Sequence, residues 1–394
     1  MTELLAPAGD LEKLKIAILY GADAVFIGGQ EFSLRARASN FTLADIKEGA
    51  DFAHQFGKKL YVTTNIIPHN ENMGELIEYL KGLESAGVDA IIAASPYIVK
   101  TALDHTSIPV HISTQQSVVN SSAVKFWKDM GAERVVLGRE LDIDEISEIT
   151  SKSEVEIEVF IHGGMCASYS GRCTLSNNMT DRDANRGGCA HSCRWNYDLY
   201  SDDEKISDDS MPFSMSSKDL QTLRFIPKLI DANVASLKIE GRMKSIHYIA
   251  TVVRTYRLLI DEYTQTGTVK DMNYYEEEIR KAENRLTSYG FLAGMPKAEQ
   301  QLYNLRSEEP TKEFLGIVID YDAITGYATI EQRNHFKPGE EVELVGPKYQ
   351  RKMVVENIYD EQMNLLDAAR HPKQILKIKV PFEVHAFDML RKVL

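Results

Sequence analysis

At 394 residues the chain has room for one large domain and a smaller one, since a single core rarely grows past about 250–300 residues. Hydrophobic residues at 43% and charged residues at 26% fit a globular protein, and no run approaches the ~20 apolar residues of a membrane span. The net charge of −13 excludes wholesale electrostatic binding to nucleic acid, though not a local basic face. The start, Met1–Asp10, lacks the basic and apolar regions of a signal peptide, so a cytoplasmic protein is expected.

From residue 1 to about 265, short β-branched runs alternate with amphipathic helical segments. The expected strands are Glu3–Ala6, Ala24–Gly28, Lys59–Thr64, Ala90–Ala94, Val110–Thr114, Arg134–Gly138, Val155–His162 and Ser236–Glu240. Helical patterns separate them, the seventh across residues 216–233 and the eighth across 247–263. Gly21, Gly57, Gly87 and Gly131 are the expected left-handed helix stops. Strands that are apolar on both faces and divided by helices imply a parallel sheet, and eight units imply a closed (β/α)8 barrel. A doubly wound open sheet would need a glycine-rich turn after its first strand, where this chain has Pro7-Ala8-Gly9-Asp10.

The fold class read from the sequence is therefore α/β. A TIM-like (β/α)8 barrel occupies residues 1–265 and carries a cysteine-rich insertion at 163–216. A helical linker follows at 266–312, with a helix expected over Tyr274–Asn284. A small C-terminal antiparallel β-barrel is expected at 313–394, because alternating segments such as residues 316–322, 326–333 and 340–346 are divided by Gly326 and Pro338-Gly339.

Barrel enzymes work at the C-terminal ends of their strands. Those ends here offer Asp10, Arg35, Arg37, Asn65, Ser95, Gln115, Gln116, Arg139, Glu140, His162, Glu240 and Arg242. The insertion begins immediately after the seventh strand and holds every cysteine of the chain. Cys166, Cys173, Cys189 and Cys193 are separated by six, fifteen and three residues. In a reducing compartment such clustering points to metal rather than disulfides. An iron–sulfur cluster, 4Fe-4S with four thiols, is expected, because two short spacings flanking a longer one let two ligand pairs close on one centre. Zinc is the alternative, although its common ligand pairs use gaps of two to four residues, met only by the last pair. Four unrelated buried thiols are the plain alternative.

Arg172, Arg182, Arg186 and Arg194 lie among the cysteines, interleaved with Tyr169, His191, Trp195 and Tyr197; Arg35, Arg37, Arg139, Arg242 and Lys244 extend the basic rim. Arginine with aromatics suits a single-stranded or flipped nucleotide, and Gln115 and Gln116 could read a base edge. The arginines could equally offset the charge of a thiolate cluster or grip a small dianion. His162 and Glu240 end strands and are the candidate proton-transfer groups, with buried structural roles as the alternative. No HExxH, GxSxG or phosphate-loop motif is present.

The stretch Glu158–Cys166, followed by Gly171-Arg-Cys173-Thr-Leu175-Ser176, resembles the signature of the collagenase-like peptidases, family thirty-two of the unassigned class U. Residues 188–195, the segment 236–245 and the C-terminal β-domain are similar to that family too. Gly164 stands where the family pattern has Ser or Ala. The resemblance implies proteolysis by the family's name. It also implies RNA hydroxylation, notably 5-hydroxyuridine at the wobble position of the tRNA anticodon, with prephenate as a linked metabolite. It assigns the four cysteines as iron–sulfur ligands. The expected partner is tRNA, with no membrane. The alternatives are a collagenase-like peptidase and an RNA-binding subunit working with a paralogous partner.

Overall fold

The computed structural model describes residues 2–33, 41–186, 188–209, 213–282, 285–302 and 314–393. Eight strands form its frame: β1 (Glu3–Pro7), β2 (Ala24–Gly28), β3 (Lys59–Thr64), β4 (Ala90–Ala93), β5 (Val110–Ile112), β6 (Arg134–Val136), β7 (Glu156–Gly163) and β8 (Ser236–Ile239). Each pairs in parallel with its successor from β1 to β7, and β8 pairs with both β1 and β7. That double pairing closes the barrel.

The helices are α1 (Leu11–Leu19), α2 (Leu43–Gln55), α3 (Leu76–Ser85), α4 (Pro96–His105), α5 (Ser121–Asp129), α6 (Ile143–Ser151), α7 (Leu175–Thr180), α8 (Ile226–Asp231), α9 (Ile246–Thr266) and α10 (Met272–Arg280). Local chemistry starts them: Asp10, Thr42, Asn120, Asp142 and Ser245 each accept a backbone N–H of the first turn. Gly21, Gly57, Gly87 and Gly131 follow helix ends with φ of 112°, 65°, 81° and 102°, as the sequence requires. Among the described residues no helix is long and apolar enough to cross a membrane.

Two elements depart from the sequence expectation. Residues 216–233 are helical only in their second half. Asp219–Gln221 is instead a short strand antiparallel to β7, with Leu220 opposite Gly163 and Gln221 opposite His162. Leu220 packs on Val136, Phe160 and Met165, so a tertiary contact overrides helix propensity there. Thr287–Ser288 adds in parallel to this strand, in a region expected to be linker. The fifth strand stops at Ile112 because Ser113 caps a 3₁₀ turn over Thr114–Gln116.

The C-terminal sheet has eight antiparallel strands: Phe314–Asp322, Tyr327–Gln332, Glu341–Val345, Gln350–Val354, Ile358–Tyr359, Leu365–Leu366, Ile375–Lys379 and Met389–Lys392. Residues 352–359, expected as one alternating segment, are divided between the strands Gln350–Val354 and Ile358–Tyr359, and the strand Met389–Lys392 was not expected. The sheet has its own apolar core around Ile330, Phe336, Leu344 and Ile378. It is fastened to the barrel's helices by polar contacts. Tyr20 donates to the carbonyls of Val345 and Phe387 at 2.8 and 3.0 Å, and Arg391 bonds Glu278 of α10 at 2.7 Å.

Candidate functional site

β7 ends at Gly163, whose φ of +106° starts the insertion. A side chain there would stand 2.4 Å from the Glu240 carbonyl, so only glycine lets these two strand ends approach. Seven residues on, at Ser170, the insertion touches the barrel again. The amide and hydroxyl of Ser170 donate to Glu140 at 2.7 and 3.0 Å, and Ser117 donates to the Ser170 carbonyl. Gly171, with φ +71°, lies where a Cβ would be 2.1 Å from the Gln115 carbonyl. Arg186 reaches the loop after β3, pairing with Glu71 and bonding Asn72 at 3.1 Å. The insertion therefore lies over the C-terminal ends of β3, β5 and β6.

This docking gathers the four cysteines. Cys166 and Cys189 are exposed as residues, and Cys173 and Cys193 half-buried. Protein atoms still crowd two of the thiols: burial pushes the pKa of both Cys166 and Cys193 up. Cys193 is raised further by Cys166, Cys189 and Cys173, with Arg194 opposing, so all four sulfurs share one electrostatic neighbourhood. Ser176 donates to Cys189 at 3.9 Å and accepts from the Ala190 amide at 3.0 Å, fastening α7 to the second cysteine pair. Among the described residues no three His, Cys, Asp or Glu side chains converge closely enough to hold a single metal ion.

The predicted cations take different places. Arg139 lies over the Phe160 ring at 3.8 Å and donates to the Gly164 carbonyl at 2.5 Å. Arg194 is partly buried, and burial followed by the nearby Arg285 lowers its pKa. Arg285 and Lys244 approach Asp219 at 3.2 and 3.9 Å. Arg242 is buried and crosses the mouth to the Ser33 and Thr63 hydroxyls at 3.3 Å. Arg172 is exposed. Arg35 and Arg37 lie outside the described residues. The sequence points to neither Arg285 nor Asp219: Asp219 lies in a stretch with a helical pattern, and nothing near Arg285 resembles a motif.

The amides bind the protein itself. The Gln115 side-chain oxygen accepts from Asn65 at 2.7 Å and Ser113 at 3.1 Å, while Gln116 donates to the Ala94 carbonyl. His162 is 2% exposed. Glu158 and Phe160 face the barrel interior, and strict alternation would send His162 there as well. Instead the register shifts between Lys238 and Ile239, and the His162 ring packs on Tyr248 and Tyr256 of α9. Burial first, then Lys244, lowers its pKa to about 3, so the ring is neutral. Glu240 is half-buried at the mouth, close enough to raise the pKa of Cys166.

A closed parallel barrel capped by a four-cysteine insertion and followed by a β-domain matches one family along nearly its whole length. Residues 9–302 match Peptidase family U32 and residues 310–391 the Peptidase family U32 C-terminal domain; the chain belongs to this family. It is 51% identical to tRNA hydroxylation protein P1 of Bacillus subtilis, over 99% of this chain and 94% of that protein. It is 33% identical to tRNA hydroxylation protein P of Haemophilus influenzae, over 97% and 94%. It is also 31% identical to a collagenase of Porphyromonas gingivalis, over 98% and 97%.

Proposed function

We propose that this chain takes part in hydroxylating tRNA, adding the C5 hydroxyl of 5-hydroxyuridine at the wobble position. The observation that carries this is the 51% identity to tRNA hydroxylation protein P1 across both domains. Cys166, Cys173, Cys189 and Cys193 would hold an iron–sulfur cluster. Four thiols on one insertion, three of them close enough to raise the pKa of Cys193, offer a polynuclear cluster one thiolate for each iron. When bound, such a cluster supplies one-electron transfer. The surrounding Arg194 and Lys244 supply positive charge to anionic ligands, whether thiolates, RNA phosphate or the carboxylates of a prephenate-like donor. Exposed Tyr169, Trp195 and Arg172 offer ring faces and charge to an unstacked base.

Mass spectrometry of tRNA nucleosides from a strain lacking the gene tests this. Loss of 5-hydroxyuridine derivatives, restored by the wild-type gene and not by Cys166→Ser, is expected; unchanged wobble uridines would sink it. The similarity to a collagenase keeps peptide hydrolysis as a second reading. His162 gives it little support, since its bonded partner is the Tyr256 hydroxyl at 3.3 Å and not a nucleophile. Gelatin cleavage by the purified chain, undiminished in Cys166→Ser, would favour the peptidase.

A further inference from the structure

From the stack of side chains beneath the Cys166 loop, we infer that Arg139 is a positioning residue for Cys166, not a contact for RNA. Three layers rise through the barrel interior. Lys238 pairs with Glu158 at 2.7 Å and lies 5.4 Å from the centre of the Phe160 ring. Arg139 lies over the same ring at 3.8 Å. From there its Nη1 donates to the Gly164 carbonyl at 2.5 Å and approaches the Met165 sulfur at 3.9 Å, while its backbone amide donates to Ser170 Oγ at 3.4 Å. Arg139 thus fastens the segment on both sides of Cys166, two residues before it and four after.

The chemistry calls for arginine. A planar guanidinium can stack on Phe160 and still direct an N–H in its own plane at a carbonyl, whereas an ammonium offers no plane to stack. Cys189 is held differently, through the Ser176 hydroxyl. Removing the plane therefore loosens the first cysteine and leaves the second pair in place. The consequence for a bound cluster rests on the function proposed above; the clamp itself does not.

Two arms test it on the full chain. In hydrogen exchange, Arg139→Lys (charge kept, plane lost) and Phe160→Leu (ring lost, arginine kept) are expected to speed exchange in peptides covering 163–172 at least tenfold. Phe160→Tyr, which restores a ring face, stays within twofold of wild type, as do peptides covering α7 in every variant. Wild-type protection of 163–172 in both Arg139→Lys and Phe160→Leu, at an unchanged melting temperature, would overturn the assignment. In the second arm, protein reconstituted without air from ferrous iron and sulfide is reduced and read by electron paramagnetic resonance. Altered g values in Arg139→Lys and Phe160→Leu, with the wild-type spectrum in Phe160→Tyr, support the clamp; identical spectra in all four proteins count against it. Should wild type take up no iron, the cluster reading fails and the exchange arm alone decides on Arg139.

Discussion

Arg134 of β6 and Glu158 of β7 meet at 3.1 Å inside the barrel, where neither residue is more than 3% exposed. Arg134 also bonds Glu3 at 2.6 Å and Glu156 at 2.6 Å, and Lys238 bonds Glu158 at 2.7 Å. Burial alone would raise the Glu158 pKa, but Lys238 and Arg134 overcome it and hold the carboxyl at about 2. Glu158→Gln therefore takes the paired carboxylate from Lys238 in a site shielded from water, while Arg134 keeps Glu3 and Glu156. Losing one partner of a buried pair costs about 3–5 kcal/mol. Urea unfolding at neutral pH should show a drop of that order, and a loss below about 1 kcal/mol would mean the network is well hydrated.

The insertion is pinned to the barrel by backbone as much as by side chains. At Gly171 the obstacle to any other residue is the Gln115 main chain, which cannot rotate away as a side chain would. A positive φ of 71° adds to the penalty. Gly171→Ala is expected to detach this corner of the insertion while the barrel below stays folded. The measurement is a pair: tRNA hydroxylation in cells falls at least tenfold, and the far-ultraviolet circular dichroism stays that of wild type. Full activity in the alanine variant would show that the contact with Gln115 is dispensable.

How much of this was legible beforehand depended on what each residue answers to. The eight strands and the stop glycines follow local rules of period and φ, and they appear where the sequence puts them, within a residue or two at most ends. Residues 216–221 looked helical because nothing local marks them as extended; their structure comes from pairing with β7. His162 was picked for its place at a strand end, and a register shift turned it towards α9. Arg139 was picked as a cation and emerges as a clamp, because the sequence shows its charge and hides the ring beneath it. The sequence shows the four cysteines as one stretch, and the structure lays that stretch over the strand ends. The sequence does not show Arg285 with Asp219, since their meeting spans 66 positions and depends on two short strands added beside β7.

Three buried histidines, His111, His162 and His247, should set the acid limit, and the last two define its window. Burial first, followed by Lys244 for His162 and Arg391 for His247, lowers each pKa to about 3. In the unfolded chain both titrate near 6.5, so between about pH 6.5 and 3 the unfolded state binds more protons. Stability therefore falls as pH drops through that window, by about 1.4 kcal/mol per unit for each ring. His247 stacks on Phe314 with centroids 5.1 Å apart and planes 9° from parallel, and its Nε2 has no hydrogen-bond partner among the described residues. His247→Phe keeps the stack and removes the proton site. Between pH 7 and 5 the variant should lose about 2 kcal/mol less than wild type. Parallel stability curves for the two proteins would show that His247 is open to water.

The four thiols lie in the cap over the strand ends, whereas the main apolar core surrounds the strands below. Ligand loss is therefore expected to cost iron before it costs the fold. Replacing any one of Cys166, Cys173, Cys189 or Cys193 by serine should reduce iron and sulfide content of anaerobically prepared protein by at least half, along with visible absorbance. Each serine variant should keep wild-type far-ultraviolet circular dichroism, because none of the four side chains belongs to that core. Treating wild type with a chelator should give the same outcome, and the four serine variants should resemble one another, since ligands of one centre fail together. Zinc in place of iron, at one atom per chain, would contradict the polynuclear assignment. A single serine variant that keeps full iron would remove that cysteine from the ligand set and point to a cluster with an open iron.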